Sequence, residues 1–266
     1  MFKQCRGLWM LLFVALAAFV TVSFAGPIVV CGYELKQASF ADLLMARAET
    51  EVATSGSARK PVVATAVKPV NPATVPVDTA SKTILFIGDS MLDGLSPRMA
   101  QYAKQNGHTL YSVIWYSSTS KTWGDSDKLK HYISTIKPDY IFICLGANEL
   151  FVRDIRAKRT KFVRRMLADI GNIPYIWIGP PNWKEDTGIN DMLMAETAHG
   201  SFFLSKDLTL ARSSDGAHPT KAASADWLDS VMRWMPRSSA HPIRMDAPES
   251  GLTARPKRVF VHNPNE

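Results

Sequence analysis

The sequence predicts an α/β domain in which a central parallel sheet is covered by helices on both faces, an α/β/α arrangement in three layers. From Thr83 onward, short apolar runs alternate with longer stretches of helical periodicity, the mark of repeated strand–helix units. Glycine or proline punctuates the ends of several of these runs. The polar segments with chemical potential fall just after predicted strands or just before a predicted helix, and in such sheets ligands bind beyond the carboxyl ends of the strands.

The chain opens with Lys3 and Arg6, and no further charge appears until Glu34. Leu8 to Val30 is almost wholly apolar and about as long as a bilayer-spanning helix. Residues 1–31 therefore predict an uncleaved transmembrane anchor, with Lys3 and Arg6 keeping the N-terminus cytoplasmic. The alternative is a signal peptide cut near Ser23-Phe24-Ala25, although such signals carry a shorter apolar stretch. Within residues 32–80, Gln37 to Glu51 suits a short helix with Leu43, Leu44 and Ala48 on its apolar side. Val52 to Ala80, with Pro61, Pro69, Pro72 and Pro76 and no aromatic residue, reads as an extended spacer.

The folded domain is expected over residues 81–236. Thr83 to Ile87 is a buried strand ending at Gly88, and Pro97 to Asn106 a helix closed by Gly107. Leu110 to Trp115 is a second strand, and Lys128 to Ile136 a helix stopped by Pro138. Tyr140 to Leu145 is a third strand. Val152 to Ile170 is a helix with Val152, Ile155, Phe162, Val163, Met166 and Ile170 on one side. Tyr175 to Ile178 is a fourth strand and Ser201 to Leu204 a fifth, followed by a terminal helix from Thr220 to Met235. Residues 237–266 are polar, Pro-bearing and aperiodic, and are expected to be a mobile tail.

The net charge of +7 is unevenly spread. Between Val152 and Arg165 stand Arg153, Arg156, Lys158, Arg159, Lys161, Arg164 and Arg165 against Asp154 alone, which reads as a solvated helix face. No zinc-finger, RNA-binding or basic-zipper pattern accompanies the run, so nucleic acid is not an expected partner. The cysteines Cys5, Cys31 and Cys144 lack metal-ligand spacing, and Cys144 reads as a buried thiol. Neither metal nor organic cofactor is implied.

Three motifs carry chemistry. Gly88-Asp89-Ser90 follows the first strand, and a serine there needs a base to become a nucleophile. Asp215-Gly216-Ala217-His218-Pro219-Thr220 precedes the last helix; an acid three residues before a histidine can fold back, hold Nδ1–H and leave Nε2 facing a serine. Gly146-Ala147-Asn148-Glu149 closes the third strand, where an Asn amide can donate to an oxyanion. Each has a plain structural reading by itself: a turn, a surface histidine with a capping aspartate, a turn asparagine.

Together, in this order and spacing, they resemble the SGNH (GDSL) hydrolase family. Its first block is similar to Gly88-Asp89-Ser90, with Met91 in place of leucine; its third to Gly146, Asn148 and Glu149; its fifth to Asp215, His218 and Pro219. The resemblance implies a flavodoxin-like fold and a catalytic triad of Ser90, His218 and Asp215. Its oxyanion hole would combine the amide of Ser90, the Asn148 side chain and a second backbone amide. The family takes that last amide from a glycine in its second block. Here the segment reads Tyr116-Ser117-Ser118-Thr119-Ser120, so Ser118, or Ser117, is the expected donor. Asp89 reads as structural and Asp93 as a helix cap.

Trp115-Tyr116 with Trp123, and Gly179-Pro180-Pro181-Asn182-Trp183-Lys184-Glu185-Asp186, are candidate cleft walls, with Trp115 the more ordinary core residue. Trp183, Asn182 and Glu149 are the candidate substrate contacts. The Gly-Pro-Pro-Asn-Trp segment resembles extracytoplasmic members of the family that act on O-acetylated cell-surface glycans. The expectation is a bacterial esterase removing O-acetyl groups from peptidoglycan or an exported polysaccharide. It would be held at the inner membrane by one N-terminal helix, with its catalytic domain in the periplasm, or be released there by cleavage. An O-acetyltransferase or its accessory, and a non-catalytic glycan-binding protein, are the alternatives.

Overall fold

The computed structural model describes residues 75–264 and the backbone of two short strands near the N-terminus. The chain divides into two units, Met1–Val67 and Lys68–Glu266. In the first, β1 (Ile28–Val30) pairs antiparallel with β2 (Tyr33–Leu35). Residues 28–30 close the expected anchor, yet they are strand, in keeping with three consecutive β-branched residues directly after a proline. Residues 1–27, the expected helix over Gln37 to Glu51 and residues 52–74 of the spacer lie outside the described residues. Among the described residues, no helix is long and apolar enough to cross a membrane.

The second unit is built on a six-stranded sheet: β3 (Thr83–Gly88), β4 (Thr109–Trp115), β5 (Tyr140–Cys144), β6 (Tyr175–Ile178), β7 (Phe202–Phe203) and β8 (Arg258–His262). Their order is β7-β6-β5-β3-β4-β8 and every pairing is parallel. Alternation along β3 divides the core in two. Ile84 and Phe86 face α1 (Met91–Gln105) and α6 (Lys221–Ser238), while Leu85 and Ile87 face α3 (Lys128–Ile136) and α4 (Ile155–Ile170). All four are fully buried, and each such side chain contributes about 1.5–3 kcal/mol. Two short helices, α2 (Ser120–Gly124) and α5 (Ile189–Glu196), complete the second face. The structure thus has the expected three layers.

Three expectations need correction. The first helix begins at Met91, six residues before Pro97, which sits inside it. The expected mobile tail supplies β8, whose register pairs Tyr111 with Arg258 and Trp115 with His262. It is pinned by the indole of Trp115 donating to the Asn263 carbonyl (3.0 Å) and by Tyr132 Oη to His262 Nε2 (2.7 Å). The end of the expected spacer is also tied down, with Asp78 N–H donating to the Pro242 carbonyl at 2.9 Å.

From β3 the chain steps to β4 on one side and then crosses to β5 on the other. The loops after β3 and β5 therefore diverge above two adjacent strands, leaving a crevice at the carboxyl edge. Ser90 follows β3 and Asn148 follows β5. Close packing there demands glycine: a Cβ on Gly88 would lie 2.5 Å from the Cys144 carbonyl oxygen. Gly146, with φ of 122°, takes a left-handed turn against Pro180.

Candidate active site

Ser90 is the N-cap residue of α1, but its hydroxyl makes no capping bond. Asp89 takes that work, its Oδ1 accepting from the Met91 amide at 2.9 Å. Ser90 Oγ is left to meet His218 Nε2 at 2.8 Å, and His218 Nδ1 meets Asp215 Oδ2 at 2.7 Å. Three side chains, two of them remote from the first along the chain, form one hydrogen-bonded line at the sheet's carboxyl edge.

The Asp215–His218 turn explains the alignment. Asp215 Oδ1 accepts from the amides of Ala217 (2.9 Å) and His218 (3.0 Å), leaving Oδ2 for the ring. These bonds, led by the Ala217 amide and the His218 side chain, hold the Asp215 carboxyl down at about 2. The Ser213 amide donates to the His218 carbonyl (2.8 Å), and Arg212 Nη1 donates to the Ala217 carbonyl (2.8 Å). Behind the turn, the Thr220 hydroxyl accepts from the Ala223 amide at 3.2 Å and starts α6. Arg212 also reaches the Asn182 carbonyl at 3.3 Å, joining this turn to the loop after β6. No sequence pattern singles out Arg212, because its partners are backbone carbonyls.

Asn148 Nδ2 donates to the Ser118 carbonyl at 3.0 Å and approaches Asp89 Oδ2 at 3.5 Å. Asp89 is completely buried, and burial, reinforced by the nearby Glu149 charge, pushes its carboxyl up to about 7 against the Met91 hydrogen bond. Burial likewise raises the Cys144 thiol well above its ordinary value, so Cys144 is an inert core thiol.

The two amides expected as candidates for the second oxyanion donor stand differently. The Ser118 amide is committed to the Trp115 carbonyl (3.1 Å), its hydroxyl accepts the Trp123 indole N–H (3.0 Å), and its carbonyl holds Asn148. Ser118 is thus fully occupied. Ser117, in a left-handed conformation with φ of 58°, has an amide with no hydrogen-bond partner among the described residues. A residue in this conformation is what a glycine would ordinarily supply.

Two expected contact groups are also corrected. Glu149 is completely buried; its carboxylate accepts from the amide (2.8 Å) and hydroxyl (2.9 Å) of Ser120 and from Arg159 Nε (2.6 Å), so it cannot touch a substrate. Trp115 and Trp123 are buried against each other, edge to face at 5.4 Å, and form core rather than cleft wall. Asn182 and Trp183 remain partly exposed. Asn182 Oδ1 accepts from Asn190 (3.1 Å), and the Trp183 indole donates to the Ala147 carbonyl (3.0 Å), next to Asn148. Trp183 meets exposed Phe151 edge to face, with Lys184 Nζ over its ring at 4.7 Å.

A cleft of about 510 Å³ opens beside Ser90, bordered by Asp93, Pro97, His218 and Ser224. Among the described residues no cluster of acidic, histidine or cysteine side chains could hold a metal ion.

No protein-family model matches the chain. No curated protein matches it either. Among solved structures it is similar to the psychrotrophic esterase EstA from Pseudoalteromonas sp., in a form inhibited by monoethylphosphonate. Identity is 20%, over 57% of this chain and 97% of that one, with a TM-score of 0.44. It is also similar to the salicylyl-acyltransferase SsfX3 from a tetracycline biosynthetic pathway, at 15% identity over 59% of this chain and 55% of that one, with a TM-score of 0.38.

Proposed function

We propose that this chain is a serine ester hydrolase of the SGNH type that removes O-acetyl or other small acyl groups from a cell-envelope or exported polysaccharide. The observation that carries this reading is the continuous line from Asp215 through His218 to Ser90, with contacts of 2.7 and 2.8 Å. Ser90 Oγ attacks the ester carbonyl carbon while His218 Nε2 takes its proton. Ionised Asp215 steadies the imidazolium that forms. The oxyanion is met by the Ser90 amide, the Ser117 amide and the Asn148 side chain, each such donor being worth about 3–4 kcal/mol in the transition state. Collapse of the tetrahedral species breaks the C–O bond, and His218 returns the proton to the departing alcohol. Water then attacks the acyl-serine, His218 takes its proton, and the released serine oxygen regains one as the acid leaves.

The openness of the site favours water as the second acceptor. The side chains of His218 and Asp215 are 41% and 50% exposed, so bulk water reaches the acyl-enzyme without a lid having to move. Transfer to a sugar hydroxyl would use the same acyl-serine. The almost wholly apolar sequence from Leu8 to Gly26, still about long enough to cross a bilayer as a helix, supports a place at the inner membrane with the domain in the periplasm.

The test compares the full chain with its Ser90→Ala variant on a short aryl acetate and on O-acetylated glycans. Acetate release should fall on the order of 10⁴-fold or more in the variant. Equal release by the two proteins would overturn the proposal.

A further inference from the structure

The cleft at Ser90 does not end there. A hollow of about 400 Å³ shares Asp93 and Pro97 with it and is closed by Ile114 and Arg255. A third hollow of about 810 Å³ shares Ala254 and Arg255 with the second and runs on past Lys104 and Lys257 to Gly107. The three follow one another along α1, each sharing lining residues with the next, and the 15 residues of that helix span about 22 Å. One wall is the segment just before β8, the part of the chain that looked like a loose tail.

The far part of this groove is positively charged, and the described residues do not neutralise it. Arg255 makes no hydrogen bond or ion pair among the described residues. Lys104 Nζ donates only to the Thr253 carbonyl at 3.1 Å, and Lys257 Nζ stands over the Tyr111 ring at 5.4 Å. Arg98, by contrast, is already satisfied by both oxygens of Asp229. Asp93 is the single carboxylate lining the three hollows, and it lies at the Ser90 end. The walls of the far hollow are mostly small or aliphatic, with Ala100, Ala103 and Thr109 among them; its one aromatic ring, His108, is buried, with its ring nitrogens bonded to the Lys82 amide and the Arg244 carbonyl. Such a channel offers charge to an anionic strand but no platform on which nucleic-acid bases could stack.

Building on the esterase reading, we infer that the substrate is an acidic polysaccharide. Its acylated sugar would sit at Ser90 while its neighbours run along α1, their carboxylates answered by Arg255, Lys257 and Lys104. The groove then sets polymer specificity and the triad does the chemistry.

Binding is measured on the full chain carrying Ser90→Ala, so that turnover plays no part, and hydrolysis by the wild-type chain is followed separately. The probes are polygalacturonate, with a carboxylate on every sugar, neutral dextran and a single-stranded DNA oligomer. Polygalacturonate should bind and weaken steeply with added salt. Adding Arg255→Gln and Lys257→Gln should raise its Kd at least tenfold while the melting temperature stays put; Arg255→Lys should restore part of the affinity. Equal Kd with and without the two glutamines, dextran binding as tight as polygalacturonate, or a preference for DNA would each overturn the inference. Polyanion binding without ester hydrolysis by the wild type would leave the groove standing and remove the esterase.

Discussion

Arg212 donates to the carbonyl of Ala217, the residue before His218, at 2.8 Å. With its second contact at the Asn182 carbonyl, it ties the histidine turn to the loop carrying Trp183. Partial burial lowers the Arg212 pKa, yet a guanidinium remains charged at any working pH. Three carbonyls, those of Ala217, Asn182 and, at 3.5 Å, Pro181, share that one cation.

Arg212→Ala should therefore loosen His218 without touching it. Charge-assisted bonds of this kind contribute about 1.5–3 kcal/mol. The expected result is a kcat on short aryl acetates lowered roughly 10- to 100-fold, on the order of what 1.4 kcal/mol per decade allows, with little change in KM. Arg212→Lys should recover only part, since a single ammonium cannot span the carbonyls of both loops. Steady-state kinetics of the three proteins check this, and an unchanged kcat in Arg212→Ala would show that the turn holds itself.

Glu149 acts on the opposite wall. Its buried carboxylate fixes Ser120 at the start of α2 and neutralises Arg159, the one member of the basic run that turns inward. Removing one partner of a buried pair usually costs about 3–5 kcal/mol, because the other charge is stranded. Glu149→Ala should lower the melting temperature by several degrees. It should also reduce kcat, because Asn148 adjoins Glu149 and Ser118 lies two residues from Ser120. Glu149→Gln should lie between, keeping some bonds to Ser120 but no charge for Arg159. Thermal melting paired with kcat measures both effects.

These two residues show what the sequence made legible and what it hid. The hydrogen-bonded line of Ser90, His218 and Asp215 could be anticipated because the proposed triad demands particular residue types and because an acid three residues before a histidine is a local geometry. The strands from Thr83 to Ile178 were legible as continuous apolar runs, since both their faces are covered. β8 was not: it is an edge strand whose Val259 and Val261 face solvent, so its apolar pattern marks no core. Pro97 suggested a helix start, but a proline inside a helix is tolerated where the missing hydrogen bond, here to the Asp93 carbonyl, opens onto a cleft. The roles of Glu149 and Arg212 depend on partners 29 and 30 residues away, which no local spacing reveals.

Asp89 predicts a pH dependence of stability. Its folded carboxyl titrates at about 7, well above the unfolded value near 3.9, because burial disfavours the charge. The folded state therefore holds a proton that the unfolded state has released, and this group's stabilising contribution is lost as pH rises from about 4 to about 7. Asp89→Asn keeps an acceptor for the Met91 amide and removes the titration. The difference in melting temperature, variant minus wild type, should grow in the variant's favour between pH 5 and pH 8. A difference independent of pH would mean that Asp89 is ionised throughout.

Ser117 gives the last prediction, and it concerns the departure from the family pattern. Its φ of 58° is left-handed, a conformation that costs a non-glycine residue about 1–2 kcal/mol. The bond from the Ser118 amide to the Trp115 carbonyl closes the turn and holds the strain in place, leaving the Ser117 amide without a partner among the described residues. Glycine would remove the steric cost but enlarge the entropy of the unfolded chain, an offset of about 0.5–1 kcal/mol. Ser117→Gly should therefore stabilise the protein by up to about 1 kcal/mol and leave kcat nearly unchanged, because the backbone amide is kept. Ser117→Val, β-branched and ill suited to positive φ, should destabilise it and depress kcat by shifting that amide. Denaturant unfolding of both variants, read beside aryl acetate turnover, separates the two effects. If the valine variant melts lower but keeps full kcat, the Ser117 amide is not an oxyanion donor.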